Sequence, residues 1–320
     1  MNRAEAIARV EAEYEKTREK NALALDERIQ KARHACPEIG KLLDGMARRF
    51  EESTRLVLSD RANAGNIAAK LKEESLRDRA QVRRLLALNG YPETFLDEIY
   101  NCAQCKDTGF IDKAHIKRCS CFEKRMFELM FGDGSSRNYF ERFDPDIYPS
   151  QIQRTQGLKA RDLCEEYADK HPENLKPNLV LLGKSGLGKT FFLDSIYHRV
   201  ISRGFPALRV TAFRMLEVMR SYHFGDNGDD SRLNDLILSP FLLIDDIGTE
   251  PMLKNITNEY LFLLVNERLY ARRPTVYATN LTPRDLEEHY SERISSRLLG
   301  KADTTAILLQ GDDLRLKGKI

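Results

Sequence analysis

An eight-residue segment constrains this chain more than any other. Gly183, Lys184, Ser185, Gly186, Leu187, Gly188, Lys189 and Thr190 follow the expected strand 178–182 and lead directly into the apolar stretch TFFLDSIYH. This fits G-x-x-x-x-G-K-[ST] with a strand before it and a helix after it, the context the motif needs. The glycines let successive backbone amides point inward at phosphate oxygens, and the start of the helix adds its positive end. Lys189 is therefore expected to reach the β and γ phosphates of ATP, and Thr190 to ligate Mg²⁺ through its hydroxyl. An accidental Gly-rich turn is the competing reading, but strand, loop and helix agree.

The surrounding texture places this loop in a sheet. Apolar β-type runs at 179–182, 207–210, 241–245, 275–279 and 304–309 alternate with helical stretches at 189–202, 213–222, 256–271, 283–290 and 293–298. Strands separated by helices predict an α/β fold, a mostly parallel sheet with helices on both faces. The run 241–244 ends in Asp245 and Asp246. A buried strand ending in acid suits a metal-linked carboxylate, so Asp245 is expected to hold Mg²⁺ and Asp246 to orient an attacking water; capping of the next turn is the alternative. The strand 275–279 ends in Asn280, whose amide suits a γ phosphate or the attacking water, or else an Asx turn. Arg293 and Arg297 lie four apart on one helix face, placed for phosphate contact across a subunit boundary or for surface salt bridges.

The first 100 residues differ in kind. They are rich in Ala, Glu, Arg, Lys and Leu, with Pro37 and Pro92 the two prolines, a composition that favours helix. Ile7, Val10 and Tyr14, then Ala22, Leu25, Ile29 and Ala32, recur at steps of three and four and mark one stripe. A second helix is expected from Pro37 through Phe50 and a third over 67–88, giving an antiparallel hairpin or bundle. Whether its stripe serves another protein is not legible from the pattern. The domains expected are a helical partner-binding region at 1–100, a metal module at 101–130, a linker or lead-in strap at 131–150, and an ATPase domain at 151–320.

The module rests on four of the six cysteines, Cys102, Cys105, Cys119 and Cys121, spaced C-x2-C-x13-C-x-C. Four thiolates suit a closed, tetrahedral structural Zn²⁺ site, with His115 able to replace one of them; free buried thiols or a redox dithiol are the alternative. Cys36 and Cys164 read as small buried residues. Lys and Arg total 51 against 49 for Asp and Glu, a net charge of +2, so nucleic-acid binding would need a local patch. Arg214, Arg220, Tyr222, His223 and Phe224 form one such cluster, tempered by the acids of the following loop. The amino terminus lacks the apolar core of a signal peptide, and no apolar run approaches the roughly 20 residues that span a bilayer, so a soluble, cytoplasmic protein is expected.

GKSGLGKT, LLIDDIGTE, YATNL and ERISSRL, in that order, resemble the AAA+ ATPases of the DnaC/DnaI type, the bacterial replicative helicase loaders. NGYPETFLDEIYNCAQCKDTGFID, then CSC and FERFDPDIYP, resemble the longer loader form with a metal-binding amino-terminal region; the first 90 residues match no motif. The resemblance implies an ASCE-type P-loop sheet and ATP bound between subunits. It assigns Lys189 and Thr190 to Walker A, Asp245 and Asp246 to Walker B, Asn280 to sensor I, Arg297 to the arginine-finger position with Arg293 beside it, and Arg315 to a sensor II-like position. Asp246 stands where many relatives carry Glu, which implies slow, switch-like hydrolysis. Few residues follow Arg315, so no separate helical lid is expected. Self-association, a replicative helicase partner and single-stranded DNA are implied with it. An IstB-like transposition accessory ATPase is the alternative; a small-molecule P-loop kinase fits DDIGTE, Asn280 and the arginine pair less well.

Overall fold

The computed structural model describes residues 3–59, 64–112, 117–131, 138–225 and 231–317. The chain divides into two compact units, residues 12–108 and residues 1–11 with 109–320.

Three long helices supply most of the first unit: α1 (Arg3–Ala35) from residue 12 onward, α2 (Pro37–Ser59) and α3 (Ala64–Leu88). Pro37 opens α2 at the position where its missing N–H costs nothing. Ala32, Ile39, Val82 and Leu86 form the buried centre, with Leu42, Leu43, Tyr91 and Phe95 packed against it. The stripe read from the sequence thus contributes Ala32 to this core. Outside the core, ion pairs such as Arg33 with Asp44 at 2.7 Å cover the helix faces.

In the second unit, β1 (Phe110–Asp112) and β2 (Lys117–Arg118) pair antiparallel ahead of α4 (Ser120–Phe131). The long helix α5 (Gln151–Lys170) follows. The sheet comprises β3 (Asn178–Leu182), β4 (Leu208–Thr211), β5 (Leu242–Ile247), β6 (Thr275–Thr279) and β7 (Thr304–Leu308). Its order is β4-β5-β6-β3-β7 and every pairing is parallel. The connecting helices are α6 (Lys189–Ser202), α7 (Ala212–Phe224), α8 (Ser231–Leu238), α9 (Thr257–Tyr270), α10 (Pro283–Tyr290) and α11 (Glu292–Leu298). All five residues of β3 and of β6 are buried, as central parallel strands require. The chain leaves β3 toward β4 and later returns past it to β7, so β3 is a topological switch point, and a crevice at its carboxyl end is the expected ligand site.

One cluster of apolar side chains holds this unit together: Phe192, Leu193 and Ile196 of α6 meet Leu179 and Leu181 of β3, Val276 of β6 and Cys164 of α5. Burying each such large side chain contributes roughly 2–3 kcal/mol before entropy is counted. Phe140 joins the cluster and Phe143 packs on Phe191 and Phe192, with ring centroids about 6 Å apart. The stretch read as linker or strap is therefore packed where it is described, from Asn138 onward. Helix α8 and helix α5 were not anticipated. A signal for α5 existed: Ser150 accepts the Gln153 N–H at 3.2 Å, an S-x-x-Q start.

Arg268 is a charged residue in the core, 1% exposed. Its guanidinium donates to the carbonyls of Leu236, Ile237, Ser239 and Pro274 and to the Thr275 hydroxyl. These carbonyls include the carboxyl end of α8, where a cation is favoured. Desolvation lowers its pKa to about 10, which still leaves it charged.

His171 sits between the rings of Phe205 and Phe241, with centroids 4.8 and 4.9 Å away. Burial, with Arg203 adding repulsion, lowers its pKa from 6.5 to about 4. Between those values the unfolded chain binds a proton that the folded chain refuses, so stability is full above about pH 6.5 and is lost as pH falls toward 4. Thermal melts across that range should show the loss, and His171→Phe should flatten it; identical pH slopes for the two proteins would contradict this.

Candidate functional site

The loop between β3 and α6 lies at the carboxyl edge of the sheet, flanked by the ends of β6 and β7, with Leu182 opposite Thr279 and Leu308. Lys189, the first residue of α6, is 5% exposed. Its ammonium donates to the Gly183 carbonyl at 2.6 Å, the Lys184 carbonyl at 2.7 Å and Asn280 Oδ1 at 2.6 Å. Burial lowers its pKa, and the nearby Asp246 and Asp245 oppose the shift. Lys189 and Asn280, ninety-one residues apart, thus share one hydrogen bond.

Thr190 follows on α6 and donates to Asp245 Oδ1 at 3.4 Å. Asp245 is buried on β5 and lies in register with Thr211. Burial and the neighbouring Asp246 raise its pKa, while Arg209 pulls the other way. Arg209, on β4, donates to Asp245 Oδ2 at 3.2 Å and also pairs with Asp194 of α6. Asn138 donates to the far side of Asp194 at 2.8 Å. Sequence reasoning missed Arg209 and Asp194; a charge inside an otherwise apolar strand, and an acid within a helix's buried face, were the available signals.

Asp246 is a non-glycine residue at φ +56°, where the pairing of β5 with β6 slips between Ile244 and Ile247. One extra residue on β5 makes a bulge, a device that re-aims side chains beside functional sites. Thr190 and Asp245 offer a hydroxyl and a carboxylate together, the hard oxygen donors that Mg²⁺ takes.

The carboxyl-terminal segment closes over the loop. Leu314 N–H donates to the Gly186 carbonyl at 2.9 Å, and Arg315 donates to the Ser185 hydroxyl at 2.7 Å. Arg315 also pairs with Asp313 at 3.0 Å and holds that carboxyl below its usual range. Gly186, at φ +79°, is required: a Cβ there would overlap the Asp313 carboxylate. Leu187, buried, anchors the loop's apolar side.

The arginine pair stands apart from these contacts. Arg293 and Arg297 place their guanidinium carbons 4.5 and 4.6 Å from the centroid of Phe262 on α9. Arg297 also donates to Asn266 Oδ1 at 3.0 Å. Neither an acid partner nor a contact with the phosphate loop is among these interactions. Of the proposed strand-binding residues, Arg214 pairs with Glu217 at 2.6 Å, while Tyr222 and His223 lean on Tyr260. Phe224 is exposed, and residues 226–230 of the acidic loop lie outside the described residues.

Cys102, Cys105, Cys119 and Cys121 bring their sulfurs within 4.8 Å of one another, Cys105 and Cys119 being buried. The Asp107 carboxylate accepts the N–H groups of Asn101 and Cys102, both at 2.8 Å, and Lys106 and Asp107 take positive φ, which turns the chain just after the second thiol and back toward the first. Four convergent sulfurs fit a tetrahedral Zn²⁺ centre. His115 lies outside the described residues.

No helix among the described residues is long and apolar enough to cross a membrane. Residues 151–319 match the model of the IstB-like ATP binding proteins. Among curated proteins, the chain is similar to the replicative helicase loader DnaI of Bacillus subtilis, 29% identical over 36% of this chain and 37% of the relative. It is also similar to the ATP-binding protein ascribed to insertion sequence IS1162 of Pseudomonas fluorescens, 33% identical over 26% of this chain and 36% of the relative. The chain thus matches little more than a third of the length of either. Solved structures similar to it include a DnaI, 22% identical with a TM-score of 0.45 over 56% of this chain and 91% of that one. Another is a DnaC helicase loader, 17% identical with a TM-score of 0.46 over 54% and 97%. With its family model matching more than half of its residues, the chain belongs to the IstB-like ATP-binding proteins.

Proposed function

We propose that this protein is a cytoplasmic ATPase switch that binds the replicative DNA helicase and helps place it on single-stranded DNA. The observation that carries the reading is the convergence of Lys189, Thr190, Asp245 and Asn280 at one sheet edge, in a chain similar to a helicase loader. A triphosphate takes the place of the acceptors that Lys189 holds, so the ammonium and the Asn280 amide meet the γ phosphate together. Thr190 and Asp245 would hold Mg²⁺, which would supply positive charge against the phosphates. Asp246 orients the attacking water; its short side chain suits slow turnover. Arg297, with Arg293 beside it, reaches a neighbouring copy's nucleotide, and Arg315 reads the loop from the carboxyl-terminal side. A γ phosphate contacted by Asn280 and by a neighbour's arginine favours one subunit arrangement over another, which is what a switch requires.

The helical region 1–100 and the cysteine module 101–130 serve as the partner-binding part, 131–150 as the strap, and 151–320 as the ATPase domain. Zn²⁺ on the four cysteines ties down a segment with little core of its own. Metal analysis of the purified protein should find about one zinc per chain, released on thiol modification together with increased proteolysis within 101–130. Metal-free protein with an equally resistant segment would contradict it.

The insertion-sequence relative favours one second reading, an accessory ATPase of transposition that acts on DNA with a transposase. Size-exclusion chromatography with the host's replicative helicase and, separately, with a transposase from the same genome distinguishes them. Co-elution with the helicase in at least one of the ATP, ADP and nucleotide-free conditions is expected. Co-elution with the transposase alone would replace the first reading with the second.

A further inference from the structure

A pair of buried side chains outside the named motifs holds the turn that carries Asp246. Glu250 is 3% exposed and ends the DDIGTE run. One carboxylate oxygen accepts the Gly248 N–H at 2.9 Å, and the other accepts the Tyr290 hydroxyl. Tyr290 is buried at the last position of α10; burial and Glu250 drive its pKa well above the ordinary range, so it remains a donor.

The turn between them has little freedom. Asp246 lies in the left-handed region, and its carbonyl accepts both the Thr249 hydroxyl at 2.8 Å and the Thr249 N–H at 3.2 Å. Gly248 follows at φ +98°, where a Cβ would overlap Leu281, the residue after Asn280. The Thr279 hydroxyl donates to the Ile247 carbonyl and accepts the Leu281 N–H at 3.1 Å. A non-glycine residue at positive φ persists only where its surroundings hold it. Here the holding groups run from the turn to the end of β6 on one side and, through Glu250, to α10 on the other. Helix α10 leads straight into α11, which carries Arg293 and Arg297.

We propose that Glu250 and Tyr290 are positioning residues for hydrolysis: together they clamp the bulged turn so that the Asp246 carboxylate faces the attacking water. The proposal rests on the hydrolytic reading given above. Neither residue touches the phosphate loop in any hydrogen bond described, so the clamp acts on turnover and leaves nucleotide affinity to Lys189 and its partners.

The test compares wild-type protein with Glu250→Ala, Glu250→Gln and Tyr290→Phe, measuring ATP turnover at saturating ATP and Mg²⁺, ATP affinity, and thermal melting. Glu250→Ala should lower turnover on the order of tenfold to a hundredfold, with affinity changed less than about threefold. Glu250→Gln should recover most of the loss, since its amide carbonyl still accepts the Gly248 N–H and its NH₂ group still meets the Tyr290 oxygen. Tyr290→Phe keeps the ring and the packing, so it reports on the clamp even if Glu250→Ala fails to fold; its turnover should fall with affinity retained. Folded variants that turn over ATP at the wild-type rate, or that lose affinity in proportion to turnover, would overturn the clamp. Wild-type protein that binds ATP without consuming it would overturn the hydrolytic reading itself.

Discussion

The ammonium of Lys189 is the point on which the rest of the site depends. It is buried at the start of α6 and shared among the Gly183 and Lys184 carbonyls and the Asn280 side chain. A cation so placed needs strong acceptors, because burial without them would push it toward neutrality. The fold supplies them by setting β3 between β6 and β7, so that the loop and the asparagine at the end of β6 meet at one edge. The same arrangement suits phosphate oxygens, which are better acceptors than carbonyls and bring their own charge. The large apolar cluster beneath, centred on Phe192 and Leu193, fixes the start of α6 and with it the lysine.

A second set of charges balances the first. Asp245 is buried beside Asp246, and both effects favour its protonated form. Arg209 counters them from β4 while sharing itself with Asp194, which takes a further hydrogen bond from Asn138. The result is a chain of polar contacts from the Asn138 amide, through Asp194 of α6 and Arg209 of β4, to the Asp245 carboxylate on β5. Such a chain keeps an acid available to a divalent cation in a place where an isolated carboxyl would tend to hold its proton. It also joins the segment after α4 to the site, although that segment carries no nucleotide motif.

Much of this was legible beforehand because it is local. GKSGLGKT between an apolar strand and an apolar helix has one common use, and the acid pair after 241–244 and the asparagine after 275–279 follow from strands ending at a shared edge. All five sheet strands were placed to within two or three residues. What escaped was long-range or charged. Helix α8 follows a Gly- and Asp-rich stretch that masks its start, and its carboxyl end is completed by Arg268, thirty residues on. Arg209, Asp194, Glu250 and Tyr290 act through partners 36 to 40 residues away or on a neighbouring element, which no spacing rule reveals. The arginine pair shows the opposite case: period four placed Arg293 and Arg297 on one face correctly, yet only the structure brings Phe262 beneath both.

The central claim is that this sheet edge grips a nucleoside triphosphate through Lys189. Equilibrium dialysis of intact, folded protein against ATP and Mg²⁺, run beside Lys189→Ala with an unchanged melting profile, addresses it directly. Saturable uptake of one ATP per chain, weakened at least about tenfold in the variant, is the predicted result. Absence of uptake by the folded wild-type protein, or equal uptake by both, would contradict the account.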